Sequence, residues 1–172
     1  MPKMPVGYDE ACYAIGQVAI AWSMAERSFS ACVLRLFHVY GQRHDPNPPI
    51  SLKRQLKFFR KSLPAIGITP EQIAQGNLLA NMIGELSQKR HWCIHGLADA
   101  LIDRQIGDAI TFARYEKTGS AATEVKTFAM SDLDDIRHQA WVLGGAFLFF
   151  FGQALGGLPK EQLDEMLSKL GS

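Results

Sequence analysis

From residue 8 to residue 40 the apolar side chains return at steps of three and four. Ile15, Val18, Trp22, Ala25, Phe29, Val33, Leu36 and Tyr40 mark the repeat, which is the period of one helical face. The spacing predicts a first helix of about nine turns, and it sets the class of everything that follows. The stretch GQRHDPNPPIS then breaks the pattern with Gly41 and three prolines and predicts a loop. Ser51 is placed to cap a short second helix, LKRQLKFFRKSL, whose Leu52, Leu56, Phe59 and Leu63 share a face.

A second break, PAIGITP, leads into a third helix expected from Pro70 to about Ile102. Thr69 stands at the cap, Pro70 at the first position and Glu71 in the first turn. Ile110, Phe112 and Tyr115, then Val125 and Phe128, bracket a Gly-Ser-Ala tip, which predicts a β-hairpin. Ser131, followed by Asp132, Asp134 and Asp135, predicts the start of a fourth helix running to about Leu155. Pro159 opens a last amphipathic helix over 159–170. The expectation is a single all-α domain over residues 1–172, with its core in 8–155. It is a helical bundle of four to five helices with a short β-hairpin inserted between the third and fourth.

Composition narrows the class. Apolar residues make up 47% of the chain and charged residues 20%, as in ordinary globular proteins and unlike disordered ones. A net charge of +1 gives no bulk electrostatic argument about nucleic acid, so any such binding must rest on a local patch. The dense basic run is on the second helix: Lys53, Arg54, Lys57, Arg60 and Lys61. Cys12, Cys32 and Cys93 are an odd number with wide spacings, which argues against a disulfide framework and for a reducing compartment. The opening MPKMPVGYDEACYAIG has no secretory pattern, so a cytoplasmic location is expected. AWVLGGAFLFFFGQALGGL, residues 140–158, is borderline in length for a bilayer span and carries five glycines. A buried helix or a subunit interface is expected there, with no membrane partner.

The third helix carries the chemistry. At about 100° per residue, Ile83, Leu86, Arg90, Ile94, Leu97 and Leu101 fall in one apolar stripe. Arg90 is therefore a charge among core positions, where it needs a partner. Glu26 points inward from the first helix and is the expected one, as a buried ion pair that orients more than it stabilises. His91 and His95 lie together at the stripe's edge, and Gly84 leaves room there for another chain. Trp92 points away from the stripe and suggests a contact surface at a subunit interface. Two histidines four apart could also hold a metal, with Asp99 continuing the face. However, a metalloprotease helix places Glu directly after its first His, and this chain has Trp92 there. His38, His44 and His138 lie elsewhere in the sequence, so no metal is expected. Cys93 belongs to the stripe, where a thiol is inert, and no glycine-rich loop resembles a phosphate cradle.

Arg90-His91-Trp92-Cys93-Ile94-His95 resembles the motif of the HEPN (higher eukaryotes and prokaryotes nucleotide-binding) domains: an arginine, a polar residue, three further residues and a histidine. The likeness covers approximately residues 8–155 and includes the motif near the end of a long helix, a glutamate on the first helix and a hairpin after the motif helix. It implies a metal-independent endoribonuclease without a cofactor, whose active site forms across a homodimer, and which serves as a toxin with a cognate antitoxin or in phage defence. Carried onto this chain, His95 is the general base or acid and Arg90 stabilises phosphate charge. His91 stands where the family more often has asparagine or aspartate, and Glu26 supports the motif. The five basic residues of the second helix are then candidate RNA contacts. The competing expectation is a non-catalytic HEPN-like protein that binds a protein partner or a nucleotide, since fold alone does not fix activity.

Overall fold

A computed structural model describes residues 8–41, 47–95, 97–100, 109–115 and 122–156. Four helices run in chain order: α1 (Tyr8–Val39), α2 (Leu52–Ser62), α3 (Pro70–His95) and α4 (Met130–Phe150). Between α3 and α4 lies an antiparallel sheet of β1 (Leu97–Ala100), β2 (Ala109–Tyr115) and β3 (Ala122–Ala129), in that order. The class is the one the periodicity predicts, a helical bundle with a β insertion. The expected last helix over 159–170 lies outside the described residues.

The helix starts follow local capping chemistry. Ser51 Oγ accepts the amide of Arg54 at 3.4 Å at the head of α2. At α3, Thr69 and Gln72 bond reciprocally: Thr69 Oγ1 accepts Gln72 N–H at 3.3 Å, and Gln72 Oε1 accepts Thr69 N–H at 3.0 Å. That is a capping box closed by glutamine. The Glu71 carboxyl is held below its ordinary range by a backbone hydrogen bond first and by Thr69 second. α4 begins one residue before the expected cap at Ser131, because Asp132 Oδ2 reaches back to accept Ala129 N–H at 2.8 Å.

Two expectations about boundaries need correction. α3 ends at His95, not near Ile102, and residues 97–100 join the sheet as a third strand, Leu97 opposite Ala113 and Ala100 opposite Thr111. The sequence places Gly96 after the last helical residue, and glycine is about 1 kcal/mol worse than alanine inside a helix. The backbone amides of 97–100 gain sheet partners instead, which a helical wheel cannot anticipate. α4 gives way after Phe150 to a π-turn, Phe151–Leu155, where the plain helix was expected to continue.

The described residues form two compact units, and α1, α3 and α4 each contribute a part to both. In the first unit (residues up to 27 and 81–144) the core holds Val18, Trp22, Ala25, Ile83, Leu86, Trp92, Phe112, Leu133, Ile136 and Leu143. α4 comes close to α1 at Gly144, where an added Cβ would stand 3.4 Å from the backbone of Ala25. On the sheet, Ile110 faces Phe128 and Phe112 faces Lys126, and the Phe112 and Phe128 rings meet edge-on at 5.7 Å. Val125 shares β3 with Phe128 but not its face. It is three residues from Phe128, so alternation puts it on the opposite, exposed face.

In the second unit (28–80 and 145 onward) aromatic rings fill the centre. Phe29 lies 5.3 Å from Phe59 and 5.0 Å from Phe147, and Phe59 lies 5.9 Å from Phe150. The apolar stretch of α4 is therefore buried on one side through Leu143, Phe147 and Phe150. Its other side exposes Trp141, Val142, Leu148 and Phe149. No helix among the described residues is long and apolar enough to cross a membrane.

Candidate functional site

The third-helix motif closes on itself at the C-terminal end of α3. Arg90 Nη1 stands 3.4 Å from His95 Nε2, and the His91 and His95 rings are 4.8 Å apart, tilted by 52°. Both histidines are exposed and Arg90 is half-buried. Helical geometry brings this about, since His95 lies four residues after His91 and five after Arg90, over the last turn. A guanidinium N–H can donate only to an imidazole nitrogen that carries its lone pair. The contact therefore fits a neutral His95 with Nε2 as acceptor, the form that can take a proton.

The expected Glu26–Arg90 ion pair is not formed. Trp22 touches both residues instead: its indole Nε1–H donates to Glu26 Oε2 at 3.0 Å, and its ring carries the Arg90 guanidinium 5.6 Å from the centroid. Glu26 sits one turn after Trp22 on α1, so the bond is local to that helix and directs the carboxylate along α1 instead of across to α3. Among the described residues Arg90 has a cation–π contact, one bond to His95, and a buried Nε–H without a partner. A buried donor without an acceptor is unfavourable by about 1–3 kcal/mol. Trp22 is the residue the sequence reasoning missed. Its place on the buried stripe, four before Glu26, was visible, but the indole's double use was not.

Trp92 also needs correction. It is 4% exposed and belongs to the core, with the Lys126 ammonium 5.5 Å from its ring centroid. The sheet that follows α3 brings Lys126 against this side of the helix, so Trp92 is no free contact surface. Asp99 leaves the histidine face as well, because it lies on β1 and not on a continued helix. Among the described residues no three His, Cys, Asp or Glu side chains are grouped to hold a metal. Cys93 is buried, with Sγ 3.4 Å from the Lys89 carbonyl, and burial pushes its thiol up to about 11. It is no nucleophile at neutral pH.

The five basic side chains of α2 are all exposed. The motif belongs to the first unit and α2 to the second. Arg60 Nη2 donates to the Ala80 carbonyl at 3.4 Å, while Arg54, Lys57 and Lys61 line a small cavity with aromatic walls. A buried arginine in the same unit also escaped the sequence reading. Arg35, 3% exposed, donates through Nε and Nη2 to the Leu155 carbonyl, each at 3.3 Å, and burial lowers its pKa. It closes the carbonyl end of the π-turn, a structural use.

No family model, curated protein or solved structure matches this chain.

Proposed function

We propose that the chain is a HEPN-type endoribonuclease that works without a metal, as a homodimer. The observation that carries the reading is the 3.4 Å approach of Arg90 Nη1 to His95 Nε2 at an exposed helix end, with the His91 ring beside it. His95 takes the proton of an RNA 2′-hydroxyl, and the freed oxygen attacks the adjacent phosphorus. The bond from phosphorus to the 5′-oxygen breaks as a second imidazole, His91 or the motif of the other subunit, protonates that oxygen. The products are a 2′,3′-cyclic phosphate and a 5′-hydroxyl. Arg90 neutralises the charge that accumulates on the phosphate oxygens at the transition state. No step needs a redox partner. A toxin or phage-defence role, with or without a cognate antitoxin, fits such an activity.

Dimerisation is supported by α4. Trp141 and Leu148, and likewise Val142 and Phe149, are seven residues apart and so share an azimuth on the helix. All four are 45–58% exposed. A row of exposed large apolar side chains is a mark of a protein interface. The test is cleavage of single-stranded RNA by the purified protein in EDTA. The reading expects cleavage, and expects His95→Ala to slow it by about 100- to 10,000-fold, the usual contribution of a general acid or base. No cleavage, or cleavage unchanged in His95→Ala, refutes it.

A second reading has its own observation. The Arg90 stack on Trp22 and its buried Nε suit an arginine held for the fold, in a non-catalytic HEPN-like protein that binds a protein partner or a nucleotide. Under that reading His95→Ala leaves partner binding intact.

A further inference from the structure

The end of α1 and one face of α2 enclose a cavity of about 310 Å³ in the second unit, away from the residues of the motif in the sequence. Its lining divides cleanly by chemistry. Phe37, Phe58 and Pro49 give apolar walls, while Arg54, Lys57 and Lys61 give cations, with Asn47 beside them. The aromatic wall is firmly seated: the Phe37 and Phe58 rings lie 6.0 Å apart. Gly41 sits so close to both that an added Cβ would come within 2.8 Å of each ring. Phe37 is buried and Phe58 half-exposed, so Phe58 presents the ring surface a ligand can reach.

The cations are spaced by the helix. Arg54, Lys57 and Lys61 follow one another at steps of three and four, which places successive side chains about 5–6 Å apart on one face. Among the described residues no carboxylate lines the cavity and none of the three side chains is in an ion pair. Three cations beside an aromatic wall match one ligand chemistry better than others. A phosphate group answers the cations, and a flat ring answers Phe58, which is how single-stranded nucleic acid is held. An acidic peptide would use the cations and leave the aromatic wall unused. The volume lies at the lower end of small-molecule pockets, enough for one nucleotide unit and too small for a stacked duplex.

We infer that this cavity is a nucleotide pocket: phosphate at Arg54, Lys57 and Lys61, base against Phe58. The ligand is either a free nucleotide or one unit of a single strand. The inference deepens the ribonuclease reading and rests on it only for RNA as the source of the strand. Binding here requires no cleavage, so the test uses a probe that cannot be cut.

The experiment measures binding of two probes to the full chain: AMP by calorimetry, and a fluorescein-labelled 2′-O-methyl hexanucleotide by anisotropy. The expected result is saturable binding of at least one probe. Tighter binding of AMP assigns a free nucleotide, and tighter binding of the hexamer assigns a strand. Lys57→Glu should weaken binding at least tenfold and Phe58→Leu at least threefold. Arg27→Glu, a charge reversal at an exposed position of α1 outside the cavity lining, should change it less than twofold. For the hexamer, log Kd should rise with log salt with a slope of about 0.7, for the one phosphate held in the pocket. Thermal melts confirm that each variant is folded, and Lys57 is exposed, so its replacement leaves the core intact. Absence of binding to both probes overturns the inference. So does equal damage from Arg27→Glu and Lys57→Glu, which marks diffuse charge in place of a pocket, and so does an unaffected Phe58→Leu. If pocket binding fails while EDTA-resistant cleavage persists, the cavity alone is refuted. If binding holds while cleavage is absent, the ribonuclease reading alone falls.

Discussion

Replacing Arg90 by methionine separates the observed packing from the ion pair that the sequence suggests. Methionine keeps most of the aliphatic stem against Trp22 and removes the charge, the His95 bond and the buried Nε–H. Three contributions change. The cation–π contact at 5.6 Å is lost, about 0.5–1 kcal/mol for a site that is not fully desolvated. The 3.4 Å bond to exposed His95 is lost, about 0.5 kcal/mol at that length and exposure. Against these, the unpartnered Nε–H disappears, a gain of about 1–3 kcal/mol. Glu26 is not stranded, because it keeps the Trp22 indole bond. The net effect lies between a loss of about 0.5 kcal/mol and a gain of about 2 kcal/mol, or a melting temperature shifted by about −2 to +8 °C for a chain of this size. A true buried Glu26–Arg90 pair predicts the opposite, a loss of about 3–5 kcal/mol and a fall of about 10 °C. Thermal unfolding followed by circular dichroism at pH 7 decides between them. A fall of more than about 6 °C refutes the Trp22-mediated arrangement. Loss of RNA cleavage at unchanged or raised stability would mark Arg90 as a functional residue held at some expense to the fold.

The same chemical change should have opposite signs at two helical glycines. Gly76→Ala brings a Cβ within 2.7 Å of Leu63 Cδ1 and 3.0 Å of Phe150 Cζ, and overpacking should outweigh the helix-propensity gain by about 1–2 kcal/mol in chemical denaturation. Gly16→Ala meets nothing within 4 Å and should stabilise by about 0.5–1 kcal/mol. Phe147→Ala, which leaves Phe29 without a ring neighbour at 5.0 Å, should lose about 3–5 kcal/mol; a loss under 1 kcal/mol would mean that the aromatic centre of the second unit is not packed as described. Native protein should react with a thiol reagent at Cys12, which is exposed, while buried Cys32 and Cys93 stay silent until unfolding. Burial raises these thiols from about 9 to about 12 and about 11. A raised folded pKa gives stability that is complete below the unfolded value and lost as pH climbs toward the folded one. Melting temperature should therefore decline between about pH 9 and 11, and Cys93→Ala should flatten part of that decline; identical slopes in the two proteins would refute the assignment.

Much of the helical framework was legible because its determinants are local. The stripe from Ile15 to Tyr40 carries the full period of a helix. Ser51 and Thr69 cap within three residues of themselves, and proline stands at the first turn of α3. The adjacency of Arg90, His91 and His95 follows from helical spacing alone. The end of α3 was less legible: Leu97 and Leu101 continue the apolar period as if the helix went on, and only pairing with β2 draws residues 97–100 into a strand. Trp92 shows the same limit. Its wheel position faces away from the apolar stripe, yet it is buried, with Lys126 of β3 beside its ring.

By itself, then, the sequence determines where helices form and which side chains each one carries, because those depend on contacts within a few residues. It determines that a cation and two imidazoles meet at the end of α3, and that α2 presents five positive charges. Tertiary structure decided which partner Arg90 takes. Two helices with inward-pointing charges suggest an ion pair, yet Trp22 claims the Glu26 carboxylate through a bond internal to α1 and offers Arg90 its ring instead. It also decided which of the α2 cations share a cavity with Phe58, since that depends on where the end of α1 lies against α2. Such choices among competing partners turn on distances between residues far apart in the chain, which periodicity does not encode.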